Sequence, residues 1–205
     1  MTSNTNHQIS ASSVSTKLDE MKAGGHLGNL MVVAACPETE KSAFTLSMAL
    51  NLAVNNGCGV LYFSLAESAQ DVVRRMIIYE CKLTAQKLKN RNITKSEREQ
   101  IDVKLEKLIK APIFIDDTRN ISVFGFHDKC KRFVQQHGVS VIIINYLQLM
   151  TWNDDANVKI GQPKLWNMTQ MLKTIARELN ISITAFTPSQ SGEVGKYLCT
   201  IIFNF

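Results

Sequence analysis

No stretch of this sequence approaches the roughly 18 consecutive apolar residues of a membrane span. The amino terminus (MTSNTNHQISASSVS) lacks the apolar centre of a secretory signal. Paired cysteines are missing too. Cys36, Cys58, Cys81, Cys130 and Cys199 are odd in number, scattered and without a CxxC spacing, which argues against a disulfide framework or a zinc site. Buried or free thiols in a reducing cytosol are expected instead. The four histidines (His7, His26, His127 and His137) are dispersed and suggest neither a metal site nor a catalytic triad. A strong charge bias is absent, with 23 Lys and Arg against 18 Asp and Glu, a balance compatible with nucleic acid without requiring it. A cytoplasmic protein with no membrane association is the expectation.

What is present suits one globular domain: 205 residues, 45% hydrophobic and 20% charged. Residues 1–16, rich in Ser, Thr and Asn, read as a flexible arm. Thr16 to Ala23 reads as a short helix stopped by Gly24 and Gly25. Residues 17–205 are expected to form the domain. Leu30 to Ala35, Gly59 to Ser64, Pro112 to Asp116, Val139 to Ile144 and Ile181 to Phe186 are short apolar runs, as central parallel strands are. Tyr197 to Phe205 is a possible sixth strand. Helical patterns lie between them, at about Lys41 to Asn55, Ala69 to Tyr79 (with Val72, Val73, Met76 and Ile77 on one face), Ser122 to His137 and Leu165 to Leu179. The polar, basic stretch from Thr84 to Lys110 predicts two helices, with Thr94 and Glu97 as a capping box. Asp154 to Gln162 reads as a surface loop. Strands alternating with helices imply a parallel sheet, and ligands of such sheets sit at the carboxyl ends of the strands.

The first of those ends carries Ala35-Cys36-Pro37-Glu38-Thr39-Glu40-Lys41-Ser42, between a buried strand and a helix. A phosphate loop ends in Gly-Lys-Ser/Thr: its lysine reaches the outer phosphates and its hydroxyl binds magnesium. Lys41 and Ser42 are in place, and the glycine is not. The segments AACPETEKSAF, LYFSLAES, IFIDDT, VIIINYLQLM and LKTIARELNISITAF follow in that order. Together with LDEMKAGGHLGNLMVVAA they resemble the motor domain of the DnaB-type replicative helicases over roughly residues 9 to 191. The resemblance implies an α/β, three-layer RecA-like P-loop NTPase fold with a mostly parallel central sheet. It further implies a ring-shaped homo-oligomer that takes ATP and Mg2+ at subunit interfaces and moves along single-stranded DNA. By the same resemblance the nucleotide-binding residues are Pro37, Glu38, Thr39, Glu40, Lys41 and Ser42, and the metal-facing ones Ser42 and Asn145.

Four positions depart from the family pattern. Glu40 stands where glycine lets the backbone approach phosphate closely. It also adds charge facing a polyanion: two unit charges 4 Å apart repel by about 4 kcal/mol at an effective dielectric near 20, or nearly a thousandfold in affinity. Glu38 would add to it. Ala66 stands where a glutamate activates the attacking water, Asn145 where an aspartate holds the magnesium-bound water, and Pro188 where a glutamine senses the γ-phosphate, with Gln190 two residues on. An Arg-x-x-Glu pair of the family aligns with Gly161 and Lys164, and Lys196 is the only basic residue among residues 191–205, where the resemblance leads one to expect an arginine finger. Lys41, Ser42, Asp116, Asp117, Thr118, Tyr146, Gln148, Lys173 and Glu178 persist.

Phosphoryl transfer depends on positioned charge. The expectation is therefore a degenerate module that binds a helicase ring, another subunit or DNA. An active helicase with an atypical site and a non-hydrolysing nucleotide sensor are the alternatives. Among the remaining candidates, Tyr146, Leu147 and Leu149 are expected to pack, and Asp117-Thr118 to cap the following turn or helix. Trp152 and Trp166 are expected at partly buried or interface positions, and Lys82 to Lys110 as a solvated helical face.

Overall fold

The computed structural model describes residues 27–35, 38–83, 94–152, 162–188 and 203–204. Its frame is a six-stranded sheet built from β1 (Leu30–Ala35), β2 (Gly59–Ser64), β3 (Ile113–Asp116), β4 (Val139–Asn145), β5 (Ser182–Pro188) and β6 (Phe203–Asn204), in the spatial order β3-β2-β4-β5-β1-β6. β1 to β5 run parallel, and only the short edge strand β6 is antiparallel, against β1. The helices are α1 (Glu38–Leu50), continued by a π-helical turn at Asn51–Asn55, then α2 (Ala69–Glu80), α3 (Lys95–Lys110), α4 (Val123–His137) and α5 (Gln162–Glu178).

The strands read as unbroken apolar runs because both faces of the sheet are covered. Side chains alternate along each strand. Leu61, Phe63, Ile142, Ile144, Ile183 and Ala185 meet α4 and α5 through Phe126, Cys130, Leu172 and Ile175. The alternate residues Val60, Tyr62, Val141, Ile143 and Phe186 meet α1 and α2 through Leu46, Ala49, Val72 and Met76, with Leu108 of α3 at the margin. Three layers result. Phe63 stacks obliquely on Phe126 at 4.8 Å between centroids on one face, and Phe44 meets Phe186 edge-on at 5.9 Å on the other.

Local signals fix the element ends. Thr94 and Glu97 form a reciprocal capping box at the start of α3, Ser122 caps α4, and Ser68 caps α2. Gly138 ends α4 in the left-handed region at φ 63°. At Gly59, a Cβ would stand 2.8 Å from the Gly138 carbonyl oxygen, so β2 can lie this close to the start of β4 only without a side chain.

Some expectations shift. α1 starts at Glu38 and not near Lys41. In α2 the buried stripe is Val72 and Met76, while Val73 is 42% exposed beside the outer strand β3. Leu149 is also exposed and does not pack, whereas Leu147 is fully buried and Trp152 leans on the core. α3 buries no residue, as a solvated face should. Cys58, Cys81 and Cys130 are free and buried, and burial raises each thiol, that of Cys130 well above its ordinary value. No described helix is long and apolar enough to cross a membrane. The expected arm at 1–16, the helix at Thr16 to Ala23, the first helix of the basic stretch, Cys36, Cys199 and residues 154–161 of the expected loop lie outside the described residues, and the last residue of that loop, Gln162, opens α5.

Candidate functional site

Register brings the strand ends together. Ser64 pairs with Asn145, Asn145 with Phe186, and Ala35 with Pro188. Phe63 pairs with Asp116, so β3 finishes at the same end. β5 is inserted between β1 and β4, which separates the end of β1 from Asn145 by two strand spacings, about 9–10 Å.

Of the phosphate-loop residues, Pro37 and Cys36 lie outside the described ones. Glu38, Thr39, Glu40, Lys41 and Ser42 form the first turn and a half of α1, described in backbone course alone. Pro188 is the last residue of β5, opposite Ala35. Gln190, Gly161 and Lys196 lie outside the described residues, as do the side chains of Lys164 and Trp166.

The end of β4 is buried. Asn145 is 1% exposed and lies on the α1-facing side of the sheet with Ile143. Its diagonal neighbour on β2 is Tyr62, whose own register partner is Ile143. The Asn145 Nδ2 donates to the Tyr62 hydroxyl at 3.0 Å, and that hydroxyl lies 3.0 Å from the Thr45 hydroxyl of α1. Asn145 Oδ1 is buried and has no hydrogen-bond partner among the described residues. Burial, set against hydrogen bonds from Thr45 and Asn145, pushes the Tyr62 phenol up to about 12, so it is neutral at physiological pH. Neither Tyr62 nor Thr45 stands out in the sequence. A tyrosine in an apolar strand reads as core, and only the tertiary structure supplies its partners, 17 and 83 residues away.

After β2 the chain makes a turn in which Ser64 Oγ donates to the Glu67 carbonyl, and the Leu65 N–H donates to the Asn145 carbonyl. Ala66 is exposed in this turn. The neighbouring Glu67 faces elsewhere: both its carboxylate oxygens accept from one terminal nitrogen of Arg75, at 2.6 and 2.7 Å. After β3, Asp116 accepts from Lys129 of α4 and from the Thr118 N–H. Burial alone would raise the Asp116 carboxyl, but Lys129 and Thr118 together hold it below its ordinary value. Asp117 does not cap the next turn or helix. Its Oδ2 accepts from the Ala69 N–H, 48 residues back, at the start of α2. Ser122 supplies the cap of α4 instead, because Asp117 leaves β3 toward β2's loop and not toward α4.

Three acidic side chains described at this end of the sheet are thus bound to a protein partner: Glu67 to Arg75, Asp116 to Lys129, Asp117 to the start of α2. No group of three or more His, Cys, Asp or Glu able to hold a metal occurs among the described residues. Of the remaining retained residues, Lys173 is buried in α5, donates to Asn29 Oδ1 at 2.9 Å, and has its ammonium pKa lowered by desolvation and by Arg177. Glu178 lies 3.4 Å from His127. Tyr146 packs half-buried against the α1-side core.

Comparison with known proteins agrees with this architecture. Residues 11–190 match the DnaB-like helicase C terminal domain family. The chain is 34% identical over 177 residues to the replicative DNA helicase DnaC of Bacillus subtilis, covering 86% of this chain and 39% of that protein. It is 35% identical over 172 residues to the replicative DNA helicase DnaB of Geobacillus stearothermophilus, covering 84% of this chain and 38% of that protein. A solved DnaB-like replicative helicase, described with its interactions with primase, superposes with a TM-score of 0.75 at 25% identity, covering 87% of this chain and 43% of that one. A solved ATPase domain at 24% identity, with a TM-score of 0.73 over 90% of this chain and 66% of its own, shares the fold. The chain spans about two fifths of the length of the curated relatives it matches. With its strand order, its site at the strand ends and its matched span, the chain belongs to the DnaB-like helicase C-terminal domain family.

Proposed function

We propose that this chain is a helicase-derived module of DNA replication that no longer turns over ATP and that acts by binding, to a helicase ring, to another subunit or to DNA. The observation that carries this reading is the state of charge at the strand ends. Where the family pattern has an ionised aspartate, β4 ends in an amide bonded to a neutral phenol. Where a base is needed, Ala66 is the exposed residue, and the adjacent Glu67 is held by Arg75.

ATP and magnesium are the ligands the family implies; Lys41 and Ser42 are retained, but the described side chains at the ends of β2 and β4 do not fit a bound metal. The donor set at the end of β4 is neutral and turned inward. Glu40, on the first turn of α1, is an acidic residue in the position of the phosphate-loop glycine. The catalytic parts of a phosphoryl-transfer site fail as a unit when several are missing. Hydrolysis is therefore not expected of this chain. The fold itself is independent of those parts, because its stability rests on strands buried on both faces.

The test is a titration of a fluorescent ATP analogue with magnesium, paired with phosphate release measured with and without single-stranded DNA. No DNA-stimulated turnover is expected, and no binding below millimolar nucleotide. Robust DNA-stimulated release would refute the reading. Tight binding without release would recast the module as a nucleotide sensor.

A further inference from the structure

We propose that Tyr62 is a metal-free clamp that joins α1 to the end of β4. This rests on the proposed loss of turnover, in that the clamp stands where a loaded site would be bridged by its ion. In a working P-loop site those two elements are linked through magnesium, held by the loop hydroxyl and the acid ending the strand. Here three neutral side chains from three elements make the link. Thr45 of α1, Tyr62 of β2 and Asn145 of β4 form one continuous hydrogen-bonded chain, with 3.0 Å at each step. All three are at most 1% exposed.

The chain is closed to solvent on its own terms. Phe44, adjacent to Thr45, meets Phe186, the register partner of Asn145, edge-on at 5.9 Å. That contact places an apolar wall beside the polar chain. The second polar atom of Asn145 has no partner among the described residues, so the bond to Tyr62 is what orients the amide. A buried polar chain is stabilising only while its links are made, and removing the middle link strands the Asn145 amide and takes one hydrogen bond from Thr45. Tyr62 is therefore the member on which the junction depends.

The experiment uses the full chain and the variants Tyr62→Phe, Thr45→Val and their combination. In the absence of nucleotide, Tyr62→Phe is expected to lower Tm by roughly 4–8 °C. The double variant should lose clearly less than the sum of the two single losses, because both singles break one chain. Additive losses, or no loss in Tyr62→Phe, would overturn the clamp. A second arm takes the Glu40→Gly and Asn145→Asp background and measures Mg·ADP binding with Tyr62 present or changed to Phe. Release of the carboxylate from the phenol is expected to tighten binding at least about tenfold, roughly 1.4 kcal/mol. Equal affinity would overturn the clamp. The two readings fail separately. ATP turnover by the parent with non-additive losses intact removes the proposed function and leaves the clamp. A parent without turnover but with additive losses removes the clamp alone.

Discussion

Changing Asn145 to aspartate restores the family's residue type at the end of β4, and the surroundings make that restoration destabilising. The side chain is 1% exposed. In the variant, one carboxylate oxygen can accept from the Tyr62 hydroxyl, which now accepts from Asn145. The other oxygen takes the place of Oδ1, which meets no donor among the described residues. Full burial raises a carboxyl by up to 3–5 pK units, and one hydrogen bond to its charged form offsets part of this, leaving a rise of about 2 units. An acid whose folded pKa is raised above an unfolded value near 3.9 holds more protons folded than unfolded between the two. Stability therefore falls as pH rises from about 4 to about 6 and stays low beyond. The penalty of ionisation is about 2.7 kcal/mol at pH 8, at 1.36 kcal/mol per unit. Urea unfolding of parent and variant at pH 4 and pH 8 measures it as a difference of differences, which removes the titration of every other group. A deficit of the same size at both pH values, or a smaller one at pH 8, would show that the end of β4 is neither buried nor neutral. Magnesium could then be accommodated there, contrary to the proposed loss of its site.

Three further outcomes rest on local geometry. Lys129→Met leaves Asp116 half-buried without its cation; since Asp116 is held below its ordinary value, its stabilisation is present above pH 4 and lost as pH falls. The deficit should be about 2–3 kcal/mol at neutral pH and shrink toward zero below pH 3, by denaturant unfolding across pH. Gly59→Ala drives a Cβ to within 2.8 Å of the Gly138 carbonyl oxygen and 2.9 Å of the Val139 Cα, both backbone atoms, and should cost about 1–3 kcal/mol in urea unfolding. Thr94→Ala removes the side-chain half of the capping box, the acceptor of the Glu97 N–H, and should cost about 1 kcal/mol; faster amide exchange confined to the first turn of α3 is the specific readout.

The sheet was legible because its strands are buried on both faces, so that Leu30–Ala35, Gly59–Ser64 and Val139–Asn145 are apolar at nearly every position. The capping box at Thr94 and the glycine stop at Gly138 were legible because their partners lie within four residues. What stayed hidden depends on contacts far apart in the chain. Asp117 looks like a cap for the helix after it, yet its carboxylate reaches Ala69. Val73 completes an apolar stripe by spacing, but α2 lies at the outer margin of the sheet, where β3 has no further neighbour to cover that flank. Substitutions at the strand ends were visible as departures from a family pattern. Their consequence was not, because the hydroxyl that meets Asn145 comes from a tyrosine that by its neighbours is simply core.

That hydroxyl bears on how such a site can lose its chemistry without losing its fold. A phosphate site gathers charge at the ends of buried strands, and in the absence of ligand that charge is costly to desolvate. On the proposed reading, the arrangement at the ends of β2 and β4 lowers that cost. An amide at position 145 removes a buried anion, the phenol of Tyr62 satisfies the amide nitrogen, and Arg75 neutralises Glu67 next to the turn where the base is missing. The retained lysine of α5 is of another kind: Lys173 is tied to Asn29 at the opposite end of β1, away from the phosphate side, and keeps its place through packing. Asp116, Asp117 and Lys173, whose partners are protein atoms, persist under this scheme, and the retained Lys41 and Ser42 fall outside it. The clamp and the loss of turnover are then two consequences of one condition, a site that must be stable with nothing bound. The Asn145→Asp variant reverses that condition at a single position. Its pH-dependent deficit should therefore diminish when Tyr62 is kept and grow when Tyr62 is replaced by Phe, since the phenol is the one described donor available to the carboxylate.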